Sequence, residues 1–294
     1  MTACGIPAAA RVRLPFTRDA RPAVPRRAGR HVAAAILLTV GLSGCAPKRV
    51  ALPGGAGTPL ADATPILAEA LGHCAGLRTL TAEIGLSGRA AGQRIRVRLI
   101  AGLAAPDGIR LEAMAPIGPP VFILASAGDD STLLLPRDDR VLRGEPPAAI
   151  LEALAGIRVG PDALRRLLAG CPADEVDARD VRAIGEEWVL ARTGDRGTAY
   201  LRRMNGRWRL AAVRGGALDA EFGPGDAARP AFVHFTSPDA GTAPTFDLTL
   251  RLSQVEVDVE VPDEAFTVRV PADAVAISLD ELRQSGPLRD RSGS

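Results

Sequence analysis

A helical insert between two long stretches of β-type alternation constrains the fold of this chain more than any other feature. It runs from Glu145 to Pro172. Prolines open both of its predicted helices, at Pro146-Pro147 and at Pro161, because a missing N–H is tolerated in the first helical turn. Gly156 and Gly170 end them. Helices of roughly two to three turns are marginal alone, so these two must cover an apolar surface supplied by the rest of the chain.

The flanking stretches predict that surface. Over residues 94–99, Ile95, Val97 and Leu99 alternate with three arginines. A period of two with one apolar and one polar side is typical of an antiparallel sheet with one solvated face. The arginines favour a solvated sheet face, and an anionic partner is the alternative interpretation.

Turn signals separate the strands. Asp107-Gly108 and Asn205-Gly206 are dipeptides typical of hairpin turns. Over 245–261 the apolar residues occupy even positions up to Leu252 and odd positions from Val255. A strand cannot change parity in this way without a bulge or a turn at 253–254.

These patterns predict an α+β, mainly β domain: an open antiparallel half-barrel of about ten or eleven strands, with short helices over an apolar cavity. A further short strand is expected around Phe266 to Val270. The predicted cavity residues are Ile95, Val97, Leu99, Leu111, Val121, Ile123, Leu151, Leu154, Leu164 and Leu168.

The segment 115–120 is a proline-rich loop with one apolar residue at its tip. Pro116, Ile117 and Gly118 form its centre. Because proline donates no ladder hydrogen bond, the segment projects instead of pairing. Ile117 is therefore a candidate probe for a membrane or a partner, and the alternative is that it folds back onto the sheet.

Composition and motifs exclude several function classes. The net charge of the 294 residues is +2, and no basic run is interleaved with aromatic residues, so nucleic-acid binding has no support. No metal-ligand spacing, nucleophile elbow or phosphate-binding glycine loop occurs. His73 is interpreted as an ordinary core or surface histidine. We therefore expect no enzyme activity, no metal and no cofactor beyond a covalent lipid.

That lipid is predicted at the N-terminus. Arginines at 26, 27 and 30 precede an apolar run from Val32 to Leu42, too short to span a bilayer. This is the pattern of a secretory signal peptide over residues 1–44, with Val24 as a hypothetical alternative start. Residues 42–45, Leu-Ser-Gly-Cys, resemble the bacterial lipobox, which implies lipidation of Cys45; an ordinary signal peptide is the alternative. By analogy with such proteins, Ala46 favours the outer membrane.

The mature chain divides into three parts. Residues 45–64 are rich in Pro, Gly and Ala and are expected to form a lipidated flexible tether. Residues 65–285 form the half-barrel domain, beginning with a helix over 65–80. Residues 286–294 are expected to be a disordered tail.

Two cysteines remain once Cys4 and Cys45 are set aside. They are Cys74 on the predicted helix over 65–80 and Cys171 after the second helix of the insert. A lipidated protein faces an oxidising compartment, which permits a disulfide between the two. Two buried free thiols are the alternative.

Most of the mature domain, roughly Leu77 to Val261, resembles the LolB family of outer-membrane lipoprotein receptors, and more distantly LolA. Residues 154–172 are similar to that family's leucine- and glycine-rich helical lid, and 114–118 to its protruding loop. Ile117 stands where the family carries an exposed leucine implicated in delivery to the membrane. Residues 255–282 extend beyond a typical LolB and look more like the C-terminal strand of LolA.

The resemblance implies a lipid-anchored receptor that faces the periplasm and helps insert lipoproteins in the outer membrane. It would take lipoprotein acyl chains from a LolA-like donor, and a monomer is expected. The alternatives are a non-catalytic envelope scaffold or sensor, and a carrier of another hydrophobic molecule such as a glycolipid. An empty aliphatic interior favours the carrier, and a filled interior favours the scaffold.

Overall fold

The structure is a computed structural model that describes residues 49–128, 130–225, 229–238, 245–286 and 288. Cys45, the signal peptide over 1–44 and the first tether residues lie outside the described residues. Residues Ala46–Ser294 form one compact unit. Within the described part of the chain, no helix has both the length and the apolar character needed to cross a membrane.

The described residues form fifteen strands and four α-helices. The strands are β1 (Thr58–Pro59), β2 (Thr79–Ala90), β3 (Gln93–Ala104), β4 (Gly108–Met114), β5 (Phe122–Ala127), β6 (Ser131–Leu135), β7 (Arg140–Glu145), β8 (Val176–Ile184), β9 (Trp188–Thr193), β10 (Gly197–Met204), β11 (Arg207–Arg214), β12 (Asp219–Phe222), β13 (Phe232–Thr236), β14 (Phe246–Val257) and β15 (Val275–Ala276). The helices are α1 (Thr64–Leu71), α2 (Pro147–Ala155), α3 (Pro161–Leu168) and α4 (Leu279–Ser285).

One sheet contains all of these strands. Its order is β1-β8-β9-β10-β11-β12-β13-β14-β2-β3-β4-β5-β6-β7-β15, and every described pairing is antiparallel except that of β15 with β7. The prediction of a mainly β, open antiparallel architecture is confirmed. The predicted count of ten or eleven strands is wrong. Edge strands β1 and β15 have two residues each, and β8 carries an Asp- and Arg-rich sequence, so none of the three shows the apolar alternation that marks a half-buried strand.

The register of the central strands separates an inner face from an outer face. Ile84 lies opposite Leu99 and Leu86 opposite Val97 on one side, while Gly85 lies opposite Arg98 on the other. Both hairpin turns predicted from Asp107-Gly108 and Asn205-Gly206 join neighbouring strands. The inner face packs into a single hydrophobic core together with α2 and α3.

The last long strand changes parity as predicted. The pairing of β14 with β2 shifts between Ser253 and Glu256, and Gln254 has a positive φ of 51°. The expected strand around residues 266–270 is wrong: a 3-10 turn spans Asp263–Phe266 and no strand follows it before Val275 in this described stretch. Phe266 is buried, so its apolar character anchors a turn instead of a strand.

The two lid helices, α2 and α3, begin at the predicted prolines: Pro146 caps α2 and Pro147 is its first residue, and Pro161 is the first residue of α3. Gly156 ends α2 in the left-handed conformation, with φ at 73°. Arg165 of α3 is buried: the residue is 3% exposed, and its guanidinium donates a hydrogen bond to the carbonyl of Leu77. Its ion pair with Asp162 compensates part of the cost of burying the charge.

The segment before α1 is attached to the sheet along its described part. Thr58 and Pro59 pair with β8, the Val50 N–H donates to Glu221 Oε2 at 3.1 Å, and Arg49 forms an ion pair with Asp247 at 2.7 Å. The flexible tether expected over 45–64 is therefore corrected where contacts hold it. Residues 58–60 pair with β8 at the edge of the main sheet, and Arg49 and Val50 bind carboxylates of β14 and β12.

Two boundary predictions also change. The helix expected over 65–80 ends as α1 at Leu71, and a 3-10 turn over Gly72–Cys74 follows it. At the other end, Leu288 is buried at 9% exposure, although residues 286–294 were expected to be disordered. The burial of one leucine explains the difference; residues 287 and 289–294 lie outside the described part.

Candidate functional site

An apolar cavity lies between the inner face of the sheet and the lid helices. Its volume is about 60 Å³. None of its described lining residues is polar. The lining consists of Ile84, Leu86, Leu99, Leu111, Phe122, Leu151, Leu154, Ala155, Ile157, Val159, Leu164, Phe235, Leu248, Leu250 and Leu288. Such a lining offers nothing to a charged group and favours hydrocarbon.

Half of the predicted cavity residues line this space. Leu99 and Leu111 lie on the sheet side and Leu151, Leu154 and Leu164 on the helix side. The structure places the other five away from its wall. Ile95 is buried elsewhere in the core, Val97 is partly buried against it, and Leu168 is fully buried under α3; Val121 and Ile123 are also only partly buried.

Strand β5 shows why the sequence pattern missed part of the wall. Residues 121–125 are all apolar, so alternation cannot indicate which of them face inward. Pairing with β4 decides it: Phe122 lies opposite Ala113 and Leu124 opposite Leu111. Phe122 therefore reaches the cavity wall, and Ile123 lies on the other face.

The remaining missed residues come from distant parts of the chain. Phe235 on β13 and Leu248 and Leu250 on β14 extend the wall, and Leu288 contributes to it from the C-terminal segment. The alternation of 246–252 identified a buried face, but only the pairing of β14 with β2 places that face beside β3.

Helix α3 is attached to the N-terminal segment by polar and covalent links. Cys171, three residues beyond the helix, forms a disulfide with Cys74, 97 residues away in sequence. Arg165 links the same helix to Leu77. Helix α2 has no described covalent or buried ionic link of this kind, and it packs through apolar residues against the core and against α4.

His73 lies beside the disulfide. Its Nε2 is 3.5 Å from Cys74 Sγ and 3.6 Å from Cys171 Sγ. Burial lowers the pKa of His73, and the nearby positive charges of Arg209 and Arg229 act in the same direction. These three residues have the ligand types of a metal site, but the sulfurs are bonded to each other and provide no thiolate.

The proline-rich loop over 115–120 follows the C-terminal end of β4. Ile117 is 87% exposed. The guanidinium of Arg137 donates to the carbonyl of Ile117 at 2.7 Å and to that of Pro119 at 3.2 Å. Gly118 has a positive φ of 84°, which suits glycine. The tip is thus held away from the sheet, and the alternative in which Ile117 folds back is not what the structure shows.

Comparison with known proteins finds likeness in structure alone. No protein-family model and no curated protein matches the chain. A DUF1329 family protein from Desulfovibrio piger aligns with a TM-score of 0.44 and 11% identity, over 67% of this chain and 92% of that one. A LolA superfamily protein from Nitrosomonas europaea gives 0.43 and 12%, over 71% and 99%. The lipoprotein LppX of Mycobacterium tuberculosis gives 0.30 and 11%, over 68% and 98%.

Proposed function

We propose that this protein is a lipid-anchored carrier that faces the periplasm, binds lipoprotein acyl chains and helps insert lipoproteins in the outer membrane. The observation that carries the proposal is the cavity under α2 and α3, whose described lining is entirely apolar. The anchor is the lipid expected on Cys45, and the donor would be a LolA-like periplasmic protein. No catalytic role is proposed.

The driving force for binding would be the removal of hydrocarbon from water. Each buried methylene contributes roughly 0.8 kcal/mol. A purely apolar wall distinguishes poorly between acyl chains of similar length, which suits a carrier of many lipoproteins. Transfer to the next site then requires only more favourable burial there, without a nucleotide.

In this proposal the structure corresponds to a closed form of the carrier. A cavity of about 60 Å³ holds about two groups of the size of water, taken as roughly 30 Å³ each. A palmitoyl chain needs several times that volume, so a helix has to move. Because α3 is fixed by the disulfide and by Arg165, the element that moves is α2, with Gly156 as its pivot.

Native mass spectrometry of the compact unit 46–294, purified from cells and then mixed with palmitate, tests acyl binding. Ala155 lines the cavity and Ile100 lies on the outer face at 42% exposure. Ala155→Phe fills the cavity without burying a charge and is expected to weaken palmitate binding by roughly tenfold or more. Ile100→Phe is the matched control and leaves binding unchanged. Equal binding by both variants would remove the cavity from the mechanism.

The loop is tested separately. Ile117→Glu places a charge on the exposed tip, while Val275→Glu does the same at another exposed apolar residue, 62% exposed. We expect Ile117→Glu to retain palmitate binding and to slow lipoprotein delivery to vesicles, with Val275→Glu unaffected. Normal delivery by Ile117→Glu contradicts a role for the loop.

A non-catalytic envelope scaffold or sensor is the second candidate, and the small cavity favours it. If the interior stays at about 60 Å³ in solution, no acyl chain fits. Absence of bound lipid in both the purified and the palmitate-treated protein would support this candidate. A co-purified glycolipid would instead identify a carrier of another hydrophobic molecule.

A further inference from the structure

An open groove of about 1070 Å³ lies over β14, β2 and β3. Residues of the outer face form most of its lining, and Leu86, Ile95, Val97 and Leu252 border it as well. Its floor is formed where small residues replace long ones on β2. Gly85 lies between Arg251 of β14 and Arg98 of β3, and Ser87 lies opposite Arg96. Because glycine and serine have no long side chain, the floor stays low and the arginine side chains form the walls on either side of it.

The charge of this groove is strongly one-sided. Its described lining contains five arginines and a single carboxylate, Glu83. Arg98 approaches Glu83 only to 4.0 Å. Arg89, Arg94 and Arg96 are exposed and form no ion pair or hydrogen bond with any described residue.

The arginines also oppose one another. Arg89 on β2 lies directly across from Arg94 on β3. Like charges in a cross-strand pair destabilise a sheet. Several arginines outside the groove pair with carboxylates, as Arg110 does with Glu112 at 2.6 Å, whereas Arg89, Arg94 and Arg96 do not pair with any described one.

Arg89 also has Asp247 as its cross-strand neighbour on β14, but that carboxylate is bonded to Arg49 and His234. The guanidinium groups of the groove therefore outnumber the carboxylates beside them, and an anionic ligand would relieve their repulsion.

The end of the groove indicates which anion. Met114, Ala115 and Pro116 line that end, and the next residue is Ile117 at the exposed loop tip. An apolar tip beside a basic surface is the arrangement that binds the interface of an anionic bilayer. Guanidinium groups pair well with phosphate oxygens, in a planar two-point geometry.

We propose that this groove, between Arg89, Arg94, Arg96, Arg98 and Arg251, is a docking site for the phosphate headgroups of an anionic membrane surface. The site rests on the proposed function, because it positions the carrier on the membrane that receives its cargo. The apolar tip would enter the interface while the arginines hold the surface phosphates. An acidic protein is the other class of partner, and the apolar tip disfavours it.

Vesicle co-flotation of the compact unit 46–294 tests the site. It compares phosphatidylcholine vesicles with vesicles that also contain phosphatidylglycerol. The double variant Arg94→Gln/Arg96→Gln is matched by Arg203→Gln/Arg207→Gln, which removes two exposed arginines of the β10–β11 hairpin. We expect the first variant to lose roughly 5-fold in binding for each arginine, and the second to change by less than about twofold. Thermal melts should show both variants folded. The first variant relieves like-charge repulsion, and the second replaces two exposed side chains.

Three results would overturn the proposal. They are an unchanged affinity in Arg94→Gln/Arg96→Gln, an equal loss in both variants, and equal binding to the two kinds of vesicle. A further arm compares inorganic phosphate with chloride as competitors of vesicle binding at equal ionic strength. Stronger displacement by phosphate is expected if the guanidinium groups hold lipid phosphates, and equal displacement by the two anions would contradict phosphate recognition. Palmitate binding is measured on the same variants and should be unchanged. Its absence in the unsubstituted chain would reject the carrier function while leaving the groove to be judged by flotation alone.

Discussion

Strands β2 and β3 carry two spaces of opposite character on their two faces. On the inner face, Leu86 and Leu99 border a cavity of about 60 Å³ that is closed by helices. On the outer face, Gly85 and Arg98 border an open groove of about 1070 Å³. The same strands build both, because successive side chains point to opposite sides. Burial of apolar area therefore determines the residues of the inner face, whereas charge determines those of the outer face. A change on one face places little constraint on the other.

The largest expected effect concerns the inner side, where the disulfide holds α3. Replacing both Cys74 and Cys171 by Ser opens a link between residues 97 apart. For a loop of this length the free energy of unfolding should fall by about 4 kcal/mol. Urea denaturation measures it, with the unsubstituted protein under reducing agent as control. A change below about 1 kcal/mol would show that packing alone holds α3.

Neighbouring residues of β3 give the sharpest test of the two faces. Leu99 is 7% exposed and Ile100 is 42% exposed. Leu99→Ala should lower the free energy of unfolding by about 3 kcal/mol, and Ile100→Ala by less than about 1 kcal/mol. Chemical denaturation measures both. Similar losses at the two positions would mean that the outer face is covered in solution.

Salt should separate the two kinds of binding. Raising sodium chloride from about 0.05 M to about 0.5 M shortens the range of electrostatic attraction to a few ångströms. Flotation with phosphatidylglycerol vesicles should fall by roughly tenfold, whereas palmitate binding should stay within about twofold. Salt-insensitive flotation would indicate that Ile117 alone binds the membrane.

The smallest effect is a pH dependence on the inner side. Burial lowers the pKa of His73 below its ordinary value of 6.5, so the unfolded chain takes up the proton first as pH falls. Its contribution to stability is present above about pH 6.5 and is lost as pH falls through the window below that value. His73→Gln should flatten this part of the curve, measured by thermal melts from neutral to mildly acidic pH. A parallel curve for the variant would assign the slope to other groups.

Local pattern was most informative where a residue's role depends on its immediate neighbours. The prolines and Gly156 placed the ends of α2 correctly, and the parity change at 253–254 located a real irregularity of β14. Pattern was least informative at sheet edges. Strands β1 and β15 bury little and are held by backbone hydrogen bonds, which any sequence can form.

The sequence by itself determined the alternating faces, the two short helices and the stiff loop at Ile117, because these follow from periodicity and from the backbone limits of proline and glycine. Tertiary structure decided the orientation of β5, the burial of Arg165, the size of the cavity and the assembly of five arginines into one groove. Each of these depends on register between strands that are far apart in the chain. A one-residue shift in register would exchange the two faces, and nothing local in the sequence specifies which strand lies beside which.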